Sequence, residues 1–233
     1  MIKYKEEFID AVLELSDKEE SKLSEREREI FGLSSTRLRS LLNNLCSKDN
    51  TSYLELGVYR GATFISAIAG NKINKAVGVD SFTYEVRELK RFAPKGEIWY
   101  NMKSQLETNL DRFSSGSAPV FDSNKVTMIN GDFREADFGK SLFNVVFMDV
   151  QPALEEHYTA FNEKIIPLLA SESVVVFSGY SDENQAQLIN KTIASLPSPY
   201  QVSWTRKRIS SGMSDGTKYY SGVLIAGIYK NAK

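Results

Sequence analysis

The chain has 233 residues, 42% of them hydrophobic and 25% charged, and its 29 basic and 30 acidic side chains leave a formal net charge of −1. This is enough apolar material to bury a core, which excludes disorder as the main state. A single cysteine, Cys46, and a single histidine, His157, exclude an intramolecular disulfide, a cysteine zinc site and any site built on two histidines. The even charge balance lacks the basic excess usual for nucleic-acid binding. No apolar run approaches the ~18 residues of a membrane span, and the charged opening MIKYKEEFID does not have the form of a secretory signal. The expectation is a cytoplasmic protein with no membrane partner and with nucleic acid disfavoured.

Residues 1–50 read as helical. Tyr4, Phe8, Val12 and Leu15 recur at three- and four-residue steps and predict one buried helical face. Ser24 and Glu27 have the spacing of a capping box, opening a short helix through Ile30 and Phe31. Leu38, Leu41, Leu42 and Leu45 then form an amphipathic stripe with Ser35 or Thr36 as its cap. These helices read as an extension over 1–50 that either caps a site or offers a face for a homo-oligomer, with residues 51–233 forming the main domain.

From residue 51 the period changes. Apolar runs at 53-YLEL, 76-AVGVD, 125-KVTMIN, 143-FNVVFMD and 173-SVVVF alternate with helical stretches, seen at Trp99, Met102, Leu106, Leu110 and Phe113 and again over 154–169. Strands alternating with helices predict a doubly wound α/β fold with a parallel sheet between two helical layers. The segment 114-SSGSAPVFDSN reads as a flexible connection. At the end, 200-YQVSWT and 219-YYSGVLIAGIY read as a strand hairpin joined by a long loop containing Gly212 and Gly216. The run 205-TRKR and Lys218 make a local basic patch, which suits either solubility or attraction of an acidic acceptor.

The chemistry is expected at the strand ends. In 53-YLELGVYRGATFISAIAG a strand leads through Gly57 and Gly61 into a helix starting near Ala62 or Thr63, and open parallel sheets bind ligands beyond their carboxyl ends. The glycine spacing is G-x-x-x-G, with Tyr59 where a dinucleotide site needs its second glycine, and a phosphate loop is absent. The turn therefore suits a nucleoside-like ligand without a pyrophosphate. Asp80 ends the second strand, where a carboxylate accepts from both ribose hydroxyls. After the third strand, Asp132 is placed to accept from an adenine amine and Phe133 to offer the base a flat apolar face.

The combination of 55-ELGVYRGAT, Asp80, 131-GDF and 144-NVVFMD resembles the class I S-adenosylmethionine-dependent methyltransferases, most closely the subgroup whose first motif reads E-[IL]-G-x-x-R-G-x-[ST]. The resemblance spans about residues 35 to 230. It implies a Rossmann-like, mostly parallel seven-stranded sheet with an antiparallel last strand, and S-adenosyl-L-methionine as cofactor. Glu55, Gly57, Tyr59, Gly61 and Thr63 would lie at the methionine moiety, Asp80 and Ser81 at the ribose, and Asp132 and Phe133 at the adenine. Asp149, at the end of the fourth strand, would face the reacting centre as base or acceptor-positioning group, with His157 the second candidate base. Tyr158 and Tyr180 are weaker candidates. Metal-using relatives carry acids after both the fourth and fifth strands; here Ser178 and Gly179 follow the fifth, so no metal is expected. The implied activity is methyl transfer to oxygen of a small molecule, set against a cofactor-binding module without catalysis and against methylation of nucleic acid or protein.

Overall fold

A computed structural model describes residues 4–83, 102–208 and 222–231. Trp99 and the connector residues Gly212, Gly216 and Lys218 lie outside that set. Three helices, α1 (Glu6–Asp17), α2 (Glu25–Arg28) and α3 (Thr36–Leu45), precede β1 (Thr51–Leu56). There follow α4 (Ala62–Ile68), β2 (Ile73–Asp80), α5 (Met102–Ser114), β3 (Val126–Asn130), β4 (Phe143–Met148), α6 (Glu155–Ala160), β5 (Leu169–Ser178), α7 (Glu183–Ala194), β6 (Tyr200–Arg208) and β7 (Val223–Lys230). The stretch expected as one helix over 154–169 is α6 followed by a π turn and a 3-10 turn, and β5 begins at Leu169.

The strands form one seven-stranded sheet in the order β3-β2-β1-β4-β5-β7-β6. All pairs are parallel except those made by β7, which runs antiparallel to both β5 and β6. This is the expected α/β architecture of three layers. Alternate residues of each strand feed two separate cores, as the two-residue period of a strand requires. Tyr53, Val145, Phe147, Val174 and Val176 face α1, α3, α4 and α5, whereas Leu54, Leu56, Val146, Met148 and Phe177 face α6 and α7. Order reverses between β1 and β4, which opens a crevice beyond their carboxyl ends.

In the N-terminal helices two caps are as expected: the Ser24 N–H and hydroxyl donate to Glu27 at 2.7 and 2.6 Å, and Ser35 Oγ accepts from the Leu38 N–H at 3.2 Å. The helix opened by Ser24 stops at Arg28, before Ile30 and Phe31. The buried face of α1 is Ile9, Val12, Leu13 and Ser16, and Leu15 is 40% exposed. Tyr4, buried, precedes the helix and so does not obey its phase. The helix docks on β6, where Trp204 Nε1 donates to the Tyr4 carbonyl at 3.2 Å. On the same face of the strand Arg206 pairs with Glu6 and Asp10, and Arg208 with Asp17. The basic run therefore binds the acidic side of α1 rather than standing open for an acceptor. The third cation of the run, Lys207, points to the other face and sits over the Tyr180 ring at 4.9 Å.

The connection 114–124 is also more ordered than its composition suggests. Val120 N donates to the Phe113 carbonyl, Gly70 N donates to the Val120 carbonyl, and Phe121 is buried. Among the described residues no helix is long and apolar enough to cross a membrane.

Candidate cofactor site

The crevice is organised by one carboxylate. Asp80, buried at the end of β2, accepts from the N–H groups of Val58 and Tyr59 on one oxygen, Oδ2, at 2.7 and 2.6 Å. Its other oxygen accepts from the Phe82 N–H at 2.7 Å. The turn it holds carries Gly57 at φ +88, Tyr59 at φ +55 and Gly61 at φ +85, so Tyr59 takes a left-handed conformation that is costly for a bulky residue. Gly57 is required twice over: besides its φ, a Cβ there would stand 2.2 Å from the Asp149 carbonyl oxygen, where β4 passes. The α4 helix starts at Ala62, as expected.

A cavity of about 230 Å3 opens beside this turn. Gly57, Asp80, Ser81, Asp132, Phe133 and His157 line it, six of the residues singled out in the sequence. The remaining wall comes from Val79, Thr83, Gly131, Arg134 and the turn after β4, with Val150, Gln151, Pro152 and Leu154. Only the position of that turn at the end of a strand marked it in advance. Phe133 is buried and its ring stands 5.9 Å from the His157 imidazole. Asp132 is engaged by the Arg134 guanidinium, which holds its carboxyl below the usual range and which also reaches Glu156. His157 is itself buried, and burial together with the nearby Arg134 lowers its pKa, against the opposing charge of Asp132.

Glu55, Tyr59, Gly61, Thr63 and Asp149 do not line the cavity. Glu55 is fully buried on the α4 side of β1, where it accepts from the hydroxyls of Tyr53 and Thr63, each at 2.5 Å. Burial pushes its carboxyl up to about 8, against the pull of those two hydroxyls and with the charges of Asp149 and Asp80 adding to the rise. Asp149 lies half-buried between the turn and β5. Burial raises it to about 6, opposed by a hydrogen bond from Ser178 and assisted by the charge of Asp80. Tyr158 and Tyr180 are buried in the α6–α7 core, and the Tyr180 hydroxyl pairs with Asn190 at 3.0 Å. Among the described residues no group of three or more His, Cys, Asp or Glu side chains is placed to hold a metal ion.

No protein-family model and no curated relative matches the chain. Solved structures do match, over most of its length. The chain is similar to M. jannaschii TYW2 in complex with AdoMet, with a TM-score of 0.54 at 13% identity over 83% of this chain and 74% of that one. It is similar to precorrin-6y C5,15-methyltransferase from Geobacter metallireducens, with a TM-score of 0.52 at 14% identity over 87% and 93%. An rRNA methylase from Streptococcus thermophilus gives 0.52 at 9% identity over 83% and 94%. The chain has the class I methyltransferase fold. The methyltransferases that share it act on unlike acceptors, so the fold by itself does not name one. The cavity beside Asp80 lies outside the carboxyl ends of the strands, where strand order reverses.

Proposed function

We propose that the protein is an S-adenosylmethionine-dependent methyltransferase that transfers a methyl group to oxygen of a small molecule without a metal. One observation carries the reading: a carboxylate, Asp80, and an apolar ring, Phe133, from two neighbouring strand ends line a single cavity at the point where strand order reverses. A ribose gripped by Asp80 and Ser81 leaves the adenine to Phe133, and directs the sulfonium toward the Gly57 turn and Asp149. The cofactor supplies an already electrophilic methyl group, so the protein need only bind, align and take up a proton.

Asp149 is the base in this reading. A carboxyl raised to about 6 is ionised near neutral pH yet retains more basicity than an ordinary aspartate. His157 lies on the Phe133 side of the cavity, which favours a wall of the nucleoside half over a second base. The reading stays metal-independent because Asp149 pairs with the Ser178 hydroxyl, where a hard cation would want a second carboxylate. A small acceptor is favoured over nucleic acid because Arg206 and Arg208 are engaged by α1 carboxylates. Glu55 and Thr63 act one step back, bracing β1 against the first turn of α4.

Calorimetric titration with S-adenosylmethionine and S-adenosylhomocysteine tests the cofactor, and Asp80→Ala is expected to abolish binding. A methyl-transfer screen over small hydroxylated compounds and RNA, with and without a chelator, tests the rest. Transfer to RNA would replace the acceptor assignment, and chelator-sensitive transfer would overturn metal independence.

A further inference from the structure

Adenosine phosphates carry the same ribose and base as S-adenosylmethionine, so a site that grips adenosine has to tell the two apart at the 5′ position. Left-handed residues in a turn normally make a concavity of backbone N–H groups that takes an anion. The Gly57–Gly61 turn has that form, with the N–H groups of Val58 and Tyr59 converging on one point. The point is filled from within the chain, by Asp80 Oδ2. The carboxylate is fixed from its other side by the Phe82 N–H, and the strand end that carries it is tied to both neighbours, Gly57 N to the Val79 carbonyl and Gly131 N to the Asp80 carbonyl, each at 2.9 Å.

Resting on the adenosyl reading above, we infer that Asp80 is the residue that rejects phosphorylated adenosines: by occupying the anion-binding amides of the turn, its carboxylate restricts the site to adenosyl ligands whose 5′ substituent is neutral or cationic. The surroundings agree. Asp149, raised to about 6 and so ionised near neutral pH, lies close enough to Asp80 to feel its charge, which adds negative potential where a 5′ substituent would sit. Among the described residues Arg134 is the only Lys or Arg in the cavity wall, and Asp132 and Glu156 already neutralise it. A 5′ phosphate would meet a carboxylate in place of N–H donors, whereas a sulfonium would meet a favourable field.

The test is titration of the full chain with S-adenosylmethionine, 5′-deoxy-5′-methylthioadenosine and AMP at low ionic strength. AMP is expected to bind at least about tenfold more weakly than the neutral thioether, with the gap shrinking in about 0.5 M NaCl as the repulsion is screened. In Asp80→Asn the ratio is expected to close to within about threefold. Because the ratio is taken within one protein, affinity lost through a loosened turn cancels, and rejection of phosphate does not. Should Asp80→Asn fail to fold, or fold and bind neither compound, the wild-type ratio and its salt dependence decide. AMP binding the wild type as tightly as the thioether while S-adenosylmethionine also binds, or a ratio unchanged in Asp80→Asn, overturns this inference alone. Failure of all three compounds to bind the wild type overturns the adenosyl reading and this inference with it.

Discussion

Thr63 and Glu55 are joined by a 2.5 Å hydrogen bond that ties the first turn of α4 to β1, and the carboxylate accepting it is entirely shielded from solvent. A carboxyl raised by burial to about 8 holds its proton more tightly folded than unfolded. The folded state therefore gains stability as pH falls from about 8 toward the ordinary glutamate range, and loses it as pH rises through that window, at up to about 1.4 kcal/mol per pH unit. Denaturant unfolding between pH 6 and 8, above the Asp149 transition near 6, is expected to show this slope. Glu55→Gln, which keeps the shape and removes the charge, should flatten it; a slope that persists in the variant would place its source elsewhere.

Gly57→Ala combines a left-handed φ with a Cβ 2.2 Å from the Asp149 carbonyl oxygen. The strain and the overlap together should cost roughly 3 kcal/mol. Since relief requires the turn to move away from β4, binding of S-adenosylmethionine should be lost even at temperatures where the variant remains folded by circular dichroism.

With Asp149 as base, the transfer rate should rise with pH through about 6 and then level off, because only the carboxylate accepts a proton. Asp149→Asn should lower kcat by about 100-fold or more and remove that inflection, while affinity for the cofactor changes little. Ser178→Ala removes the hydrogen bond that favours the ionised form, so the inflection should move upward.

The docking of α1 separates packing from charge. Trp204→Ala deletes a buried indole and its hydrogen bond to Tyr4 and should cost about 3 kcal/mol or more. Arg206→Ala removes ion pairs with solvent-exposed Glu6 and Asp10, so thermal denaturation should shift by no more than about 2 °C, and less still at high salt.

The seven strands were legible as short apolar or alternating runs bounded by turn residues, and the reversal at the final hairpin followed from a connector that carries no helical stripe. The phase of α1 was not, because Tyr4 belongs to the core without belonging to the helix, and including it rotates the inferred face from Ile9 and Leu13 onto Phe8 and Leu15. In the cavity, Gly57, Asp80 and Phe133 were readable from their places at strand ends. The partners that decide what such residues do were not. The Val58 and Tyr59 N–H groups on Asp80 and the acids on Arg206 are fixed by tertiary geometry, in the last case across about 200 residues of chain. A lysine- and arginine-rich run looks the same whether its counterions are solvent or a distant helix.

Because Trp204, Arg206 and Arg208 hold α1, that helix has its docking surface supplied by a strand made about 200 residues later. Until β6 has been synthesised and laid against β7, Ile9, Val12 and Leu13 lack part of their cover, and one face of the sheet stays open. Nascent chains halted before residue 200 should therefore expose this helix to proteases and chaperones, and its protection marks the moment at which these two distant segments meet.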